Sequence, residues 1–319
     1  MSDLFLVKSK RLRKRIGRSP VMHGISQAIE AVFYGLILLL SAVLPTSWAS
    51  AAGNRVMRLA GPRLDKTAVI KYNLGLAFPE KSPEEIRSII VDIWGNIGSV
   101  LAEYPHLRAI SRNREGKRIE TDIQCNLDAY RNGTRSAIFV GAHLANWEIQ
   151  AGVASQMGVP ISVVYTPIKN RWIDRLLYRQ RRAMKCSLIS REEGMRPLLR
   201  ELSAGRSLGL LVDQRFDNGE PVPFFGLEMQ ATTNPAKLAL RFGCDLVPAR
   251  IERLSGCRCR FTLSEPLSPD ESLSDVNDWA LQMTRDVDTL FESWIRERPG
   301  QWVCTKRRWP KYIPREDWK

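Results

Sequence analysis

From residue 136 onward, short apolar runs alternate with helical patterns of ten or more residues, and no other feature of the chain narrows its fold as much. The runs near 136–142, 161–166, 187–190, 207–213, 245–253 and 257–264 read as strands. The stretches 146–158, 170–184, 193–204, 233–242 and 274–297 read as helices. Parallel strands cannot be joined by a tight turn, so strands spaced by helices imply crossover units and a largely parallel sheet. The expected fold class is therefore α/β, a mostly parallel central sheet flanked by helices, with an N-terminal hydrophobic membrane helix. The last two strands follow one another directly, which predicts an antiparallel edge. Upstream, 66–79 and 83–104 read as helices. The second has Ser82 at the N-cap, Pro83 in the first helical position and Glu84 and Glu85 in the first turn. Residues 111–120 read as a charged, solvated connection.

The membrane expectation comes from AVFYGLILLLSAVL at 31–44, inside a window with no charged residue between Glu30 and Arg55. Spanning a bilayer takes about 20 apolar residues, so this run reaches that length only by recruiting 45–52. Seven Lys and Arg residues at 8–18 precede it, and Arg55, Arg58, Arg63, Lys66 and Lys71 follow. Basic flanks on both sides leave a spanning helix and an interfacial one equally open. The chain divides into a basic N-terminus with its anchoring helix, 1–65, and an α/β domain, 66–319.

The 48 Lys and Arg against 34 Asp and Glu give a formal charge of +14, which calls for an anionic membrane, an acidic protein or a nucleic acid as partner. There is no zinc-finger spacing, RNA-binding signature or tandem repeat, which argues against specific nucleic-acid binding. Six scattered cysteines complete no metal site and suit reduced cytosolic thiols. With three histidines and no HExxH, no metal centre is expected.

The stretch GAHLANWE, 141–148, sets His143 where the first strand of the alternating region ends. Ligands of open α/β sheets bind beyond the carboxyl ends of strands. Five residues separate His143 from Glu148, about 140° on one continuous helix, so the two can meet only if the chain turns between them. Such a pair suits an imidazole general base steadied by a carboxylate. Alone it more often marks a satisfied turn histidine.

More specific is a series in one order: GAHLANWE, VVYTPIKN at 163–170, LLVDQRFDNGEPVPFFG at 210–226 and PGQWVCTKRRW at 299–309, with NLGLAFPE at 73–80 upstream. This series resembles the late acyltransferases of lipid A biosynthesis, the lauroyl and myristoyl transferases, within the wider His-x4-Asp/Glu acyltransferases. The resemblance implies acyl transfer from the thioester of acyl carrier protein to a hydroxyl of a lipid A precursor, with no other cofactor. His143 would be the general base and Glu148 the acid that fixes its tautomer. Amides opening the 146–158 helix would serve the oxyanion. Asn146, Arg181, Asp213 and Gln214 would contact substrate, Arg181 by holding a glycolipid phosphate or supporting the reacting charge. Asn146 equally fits a helix cap and Asp213 a turn carboxylate. Phe224 and Phe225 in PVPFFG would wall the acyl chain, or pack in the core. Lys306, Arg307, Arg308 and Trp309 would meet a headgroup surface. Anionic inner-membrane lipids would be partners, and the donor's cytosolic home implies an active site on the cytoplasmic face of the inner membrane. Where the family commonly has Arg this chain has Thr166, and Ala142 and Ala145 stand where glycines are frequent. Two rival readings remain at this point: an acyl-CoA-dependent phospholipid or glycolipid acyltransferase, and a non-catalytic basic membrane or nucleic-acid binding protein.

Overall fold

The computed structural model describes residues 20–310 apart from 114, 115, 271 and 274, so the basic run at 8–18 lies outside the described residues. An N-terminal helical layer comprises α1 (Pro20–Val43), α2 (Thr46–Ala60), α3 (Thr67–Ala77), α4 (Pro83–Glu103) and α5 (Leu107–Arg112). There follow β1 (Ile119–Ile123), α6 (Leu127–Arg131), β2 (Ala137–Gly141), α7 (Gln150–Gln156), β3 (Ile161–Tyr165), α8 (Arg171–Arg182), β4 (Ser187–Ser190), α9 (Arg196–Ser203) and β5 (Ser207–Leu211). A hairpin, β6 (Glu220–Phe224) and β7 (Leu227–Ala231), leads to α10 (Asn234–Phe242), β8 (Asp245–Ser255), β9 (Arg258–Leu263) and α11 (Val276–Glu297).

The main sheet has seven strands in the order β1-β9-β8-β2-β5-β3-β4, parallel throughout the β8-β2-β5-β3-β4 stretch. As expected, β9 runs antiparallel to β8, but it is not the edge: β1 pairs outside it, parallel to β9. That edge strand lies partly in the segment read as a charged connection. Its sequence, IETDI, buries only Ile119, so charge on its open side hides the strand pattern. Strand β2, AIFVG, is buried along its whole length. Ile138 and Val140 join the core shared with α9, α10 and α11, while Ala137 and Phe139 join the core against α5, α7 and α8. A strand covered on both faces reads as an unbroken apolar run, which is why it stands out in the sequence.

Helix α1 reaches 24 residues, long and apolar enough to cross a membrane. It gains that length by extending back to Pro20 rather than by recruiting 45–52. Pro45, extended at ψ 140°, ends the continuation and opens α2. One stripe of α1 docks on the domain: Glu30, Leu38 and Ser41 are buried. Asn170, the N-cap of α8, donates from its side-chain amide to the Gln27 carbonyl at 2.8 Å. The remaining surface, including Val32, Leu36, Leu39, Leu40 and Val43, is exposed and apolar. A contiguous surface of that kind marks a membrane or protein contact.

Helices α2 and α4 cross in close contact at Gly53 and Gly98. A Cβ on Gly98 would lie 2.1 Å from the Gly53 carbonyl oxygen, so only glycine allows this approach. The start of α4 is the expected capping box: Ser82 Oγ accepts from the Glu85 amide at 3.2 Å, and the Glu85 carboxylate accepts from the Ser82 amide at 2.8 Å.

Candidate active site

Gly141 of β2 and Leu211 of β5 are register partners in adjacent parallel strands. His143 and Asp213 each follow two residues later, so the sheet delivers both to the same carboxyl edge. There Nδ1 of His143 lies 2.5 Å from Oδ1 of Asp213. The indole Nε1 of Trp302 donates to the other Asp213 oxygen at 3.3 Å. Burial raises the Asp213 pKa, but the charge and hydrogen bond of His143, and then the charge of Arg308, outweigh it and hold the carboxyl below its ordinary value.

The hydrogen-bond polarity around the imidazole is dictated from one end. The Lys306 ammonium can only donate, and it gives a hydrogen bond to Gln214 Oε1 at 2.8 Å. That turns the amide nitrogen of Gln214 to His143 Nε2, at 3.2 Å, where Nε2 must accept. The proton of a neutral ring is thereby assigned to Nδ1, facing Asp213, and Nε2 carries the lone pair. The result is an imidazole whose lone-pair nitrogen is turned away from its carboxylate.

Glu148 takes different partners. Between it and His143 the chain passes Ala145 at φ 46°, a left-handed conformation that favours glycine, and enters a 3-10 turn at Trp147–Ile149. The Glu148 carboxylate then accepts both arms of Arg181, from Nε at 2.8 Å and Nη2 at 2.7 Å, and the Tyr104 hydroxyl at 2.6 Å. Burial raises its pKa, while Arg181, Tyr104 and the nearby His143 charge prevail and lower it. The carboxylate bonded to the imidazole is thus Asp213, and Glu148 stabilises it only through space. Sequence spacing could not reveal this, because Asp213 is 70 residues away. Tyr104, at the end of α4, carries no motif that marks it.

The other residues singled out in the sequence fall into separate settings. Arg181 is committed to Glu148, with a buried Nη1 left without a partner. Asn146 is fully buried, makes no side-chain cap and donates to Glu103 at 2.6 Å. It therefore lies in the support under the loop rather than on the cavity wall. Arg253 forks onto the same Glu103 at 2.6 and 3.0 Å, completing that support. The expected 146–158 helix is the 3-10 turn followed by α7, and its Ile149 amide is already taken by the Asn146 carbonyl. Phe224 and Phe225 are buried and pack on Trp302 and Trp309 instead of lining an acyl cavity. Arg308 and Trp309, read as headgroup-facing, are 1% and 0% exposed. Arg308 bonds Asp288 at 2.8 Å, and only Lys306 of the four is well exposed. Alternate strand-like contacts explain the difference. Val303 donates to the His143 carbonyl, Ala145 to the Gln301 carbonyl, and Asn73 clamps the carbonyls of Cys304 and Lys306. The terminal motif is a brace under the site.

His143, Gln214, Glu148 and Arg181 all border one cavity of about 1050 Å³. Its walls are mainly apolar, with Phe33, Tyr34 and Ile37 from α1 and Phe139, Leu177 and Phe261 from the domain. Thr166 also lies on its wall. The volume is at the upper end of ligand cavities, about 300–1,000 Å³. The cavity thus brings an imidazole, a buried carboxylate–guanidinium pair and a largely apolar wall together.

Comparison with known proteins agrees with that chemistry. A family described as bacterial lipid A biosynthesis acyltransferase matches residues 21–311. The chain is 26% identical to the lipid A biosynthesis palmitoleoyltransferase of Escherichia coli (strain K12), over 86% of this chain and 90% of the relative. It is 26% identical to the lipid A biosynthesis lauroyltransferase of the same strain, over 78% of this chain and 81% of that protein. It is also 24% identical to a phosphatidylinositol mannoside acyltransferase of Mycolicibacterium smegmatis, over 83% of this chain and 91% of that one. With the match running nearly end to end, the chain belongs to the bacterial lipid A biosynthesis acyltransferases.

Proposed function

We propose that the chain transfers a fatty acyl group from the thioester of acyl carrier protein to a hydroxyl of a lipid A precursor, working from the cytoplasmic face of the inner membrane. The observation that carries the mechanism is the His143–Asp213 pair, with Nδ1 held at 2.5 Å from the carboxylate, Nε2 against Gln214, and His143 and Gln214 both on the cavity wall. Nε2 removes the hydroxyl proton as the oxygen attacks the thioester carbonyl. The tetrahedral intermediate then collapses, the C–S bond breaks, and the departing thiolate takes the proton back from Nε2. Asp213 orients the ring and stabilises its cationic form, as the acid of a catalytic triad does. Positioned proton transfer of this type contributes about 10²–10⁴-fold. No acyl-enzyme is required, because the nucleophile belongs to the acceptor.

Gln214 occupies the Nε2 lone pair in this structure, so the acceptor hydroxyl displaces its amide on binding. Glu148 and Arg181 form a second charged pair beside the reacting centre. The free Nη1 of Arg181 offers a donor to charge developing on the carbonyl oxygen. The acyl chain fills the apolar cavity, with α1 as one wall. Because α1 also presents an outward apolar face, the wall that holds the chain is the one that meets the bilayer. The +14 charge suits both anionic lipid and an acidic carrier protein.

The test is acyl transfer by detergent-held protein, offering acyl carrier protein and acyl-CoA donors with a tetra-acylated lipid A precursor and with a lysoglycerolipid. Product from the carrier thioester and the lipid A precursor supports the proposal. Turnover confined to acyl-CoA and the glycerolipid would refute it.

A further inference from the structure

Three cations near the base are left over by the mechanism. Lys306 and Arg191 both border the cavity that His143 and Gln214 share, and both side chains belong to exposed residues. Lys66, also exposed, lies just ahead of α3, the helix whose Asn73 clamps the carbonyl of Lys306. Elsewhere on this basic surface arginines are neutralised by carboxylates: Arg131 by Asp128, Arg258 by Glu120, Arg250 by Glu297. Among the described residues, Lys66, Arg191 and Lys306 make no such ion pair. The carboxylate whose charge acts on Lys306 is Asp213, which is already bonded to His143. Partial desolvation, and then the like charges of Arg191 and Lys66, push the Lys306 ammonium below its ordinary pKa. Clustered like charges without a counter-charge are unfavourable unless an anion joins them.

We propose that Lys306, Arg191 and Lys66 form a phosphate-binding cradle at the mouth of the active-site cavity, and that the phosphate it takes is one carried by the sugar of the acceptor glycolipid. The assignment rests on the acyl-transfer reading above and deepens it. Both co-substrates bring a phosphate, and position separates them. Lys306 is one amide away from the basic nitrogen of His143, through Gln214. A carrier arm has its thioester and its phosphate at opposite ends of an extended pantetheine chain. With the thioester carbonyl at His143, that phosphate lies far beyond Lys306. A phosphate on the acceptor sugar is only a few bonds from the reacting end of the molecule. Binding the phosphate pulls on the same Lys306 that orients Gln214, so acceptor recognition and release of the Nε2 lone pair are coupled through one side chain.

The experiment compares wild type, Arg191→Gln and Lys66→Gln on the lipid A precursor before and after enzymatic removal of its sugar phosphates. A charge-assisted phosphate contact contributes about 1.5–3 kcal/mol, so each substitution is expected to raise the acceptor KM by about tenfold or more. On the dephosphorylated acceptor, wild-type KM should rise and the substitutions should add nothing further. Equal losses on both acceptors would overturn the cradle, and a rise in the carrier thioester's KM in place of the acceptor's would overturn its assignment to the acceptor. Equilibrium binding of the phosphorylated and dephosphorylated glycolipids, read without turnover in detergent micelles, makes the same comparison. It decides the cradle even if the wild-type chain transfers no acyl group to lipid A, a result that would count against the functional reading alone.

Discussion

Two buried carboxylates lie within reach of His143, and they do different work. Asp213 bonds the imidazole and is braced by Trp302, whereas Glu148 is fully engaged by Arg181 and Tyr104. Both have pKa values lowered against the pull of burial, so charge state does not tell them apart. Geometry does. The pair on the strand ends sets the tautomer of the imidazole, and the second pair ties the end of α4 to α8 and leaves one buried guanidinium nitrogen without a partner.

The sharpest way to break this comparison is to remove the base itself. His143→Ala should cut acyl transfer by about 10²–10⁴-fold with the fold intact, seen as an unchanged far-UV spectrum beside lost turnover. Asp213→Asn should cost on the order of 10³-fold in kcat, because an amide can hold the wrong tautomer, with little change in denaturation midpoint. Glu148→Gln should show the opposite balance. It leaves Arg181 buried without a counter-charge, so stability should fall by about 3–5 kcal/mol, with a smaller loss of kcat in molecules that stay folded. Equal kcat losses at both positions with no stability difference would erase the distinction.

The Arg308–Asp288 pair extends the contrast to a third buried carboxylate, held by an arginine whose charge also acts on Asp213. Burial lifts Asp288 to about 6, above its ordinary 3.8, even with Arg308 alongside. Arg308→Met removes the attraction and raises that pKa further. In the unfolded chain Asp288 ionises near its ordinary value, so the folded state then holds a proton that the unfolded state has released. The penalty appears as pH rises through the folded pKa, and Arg308→Met should cost less stability at pH 5 than at pH 8. Chemical denaturation at the two values measures it. The smallest effect belongs to Tyr104→Phe, which deletes one hydrogen bond to a carboxylate that keeps two others. About 1.5–3 kcal/mol of stability should be lost, with the His143–Asp213 bond untouched.

Much of this arrangement is legible in the chain. The strands around β2 and β5 are apolar on both faces, so their ends, and with them His143 and Asp213, are marked by pattern alone. The hydrophilic edge strand β1 is not, because half-buried Glu120 and exposed Thr121 and Asp122 mask its alternation. The β6–β7 hairpin is hidden by Pro221 and Pro223, which a central strand would not tolerate. Within the site, His143 and its local motif are visible, but pairing over 70 residues is a property of sheet register. The terminal KRRW reads as a headgroup-facing basic surface, and only tertiary packing shows that Arg308 and Trp309 are interior.

Only three histidines occur in the chain, His23, His106 and His143, so the tautomer of the base can be observed directly. Imidazole ¹⁵N spectra of histidine-labelled protein in detergent, with His143→Ala used for assignment, should show Nδ1 protonated and Nε2 unprotonated at neutral ring charge. That signature should persist in Glu148→Gln and be lost or mixed in Asp213→Asn. A tautomer indifferent to Asp213→Asn but altered by Glu148→Gln would show that Glu148 orients the base, and would contradict the account.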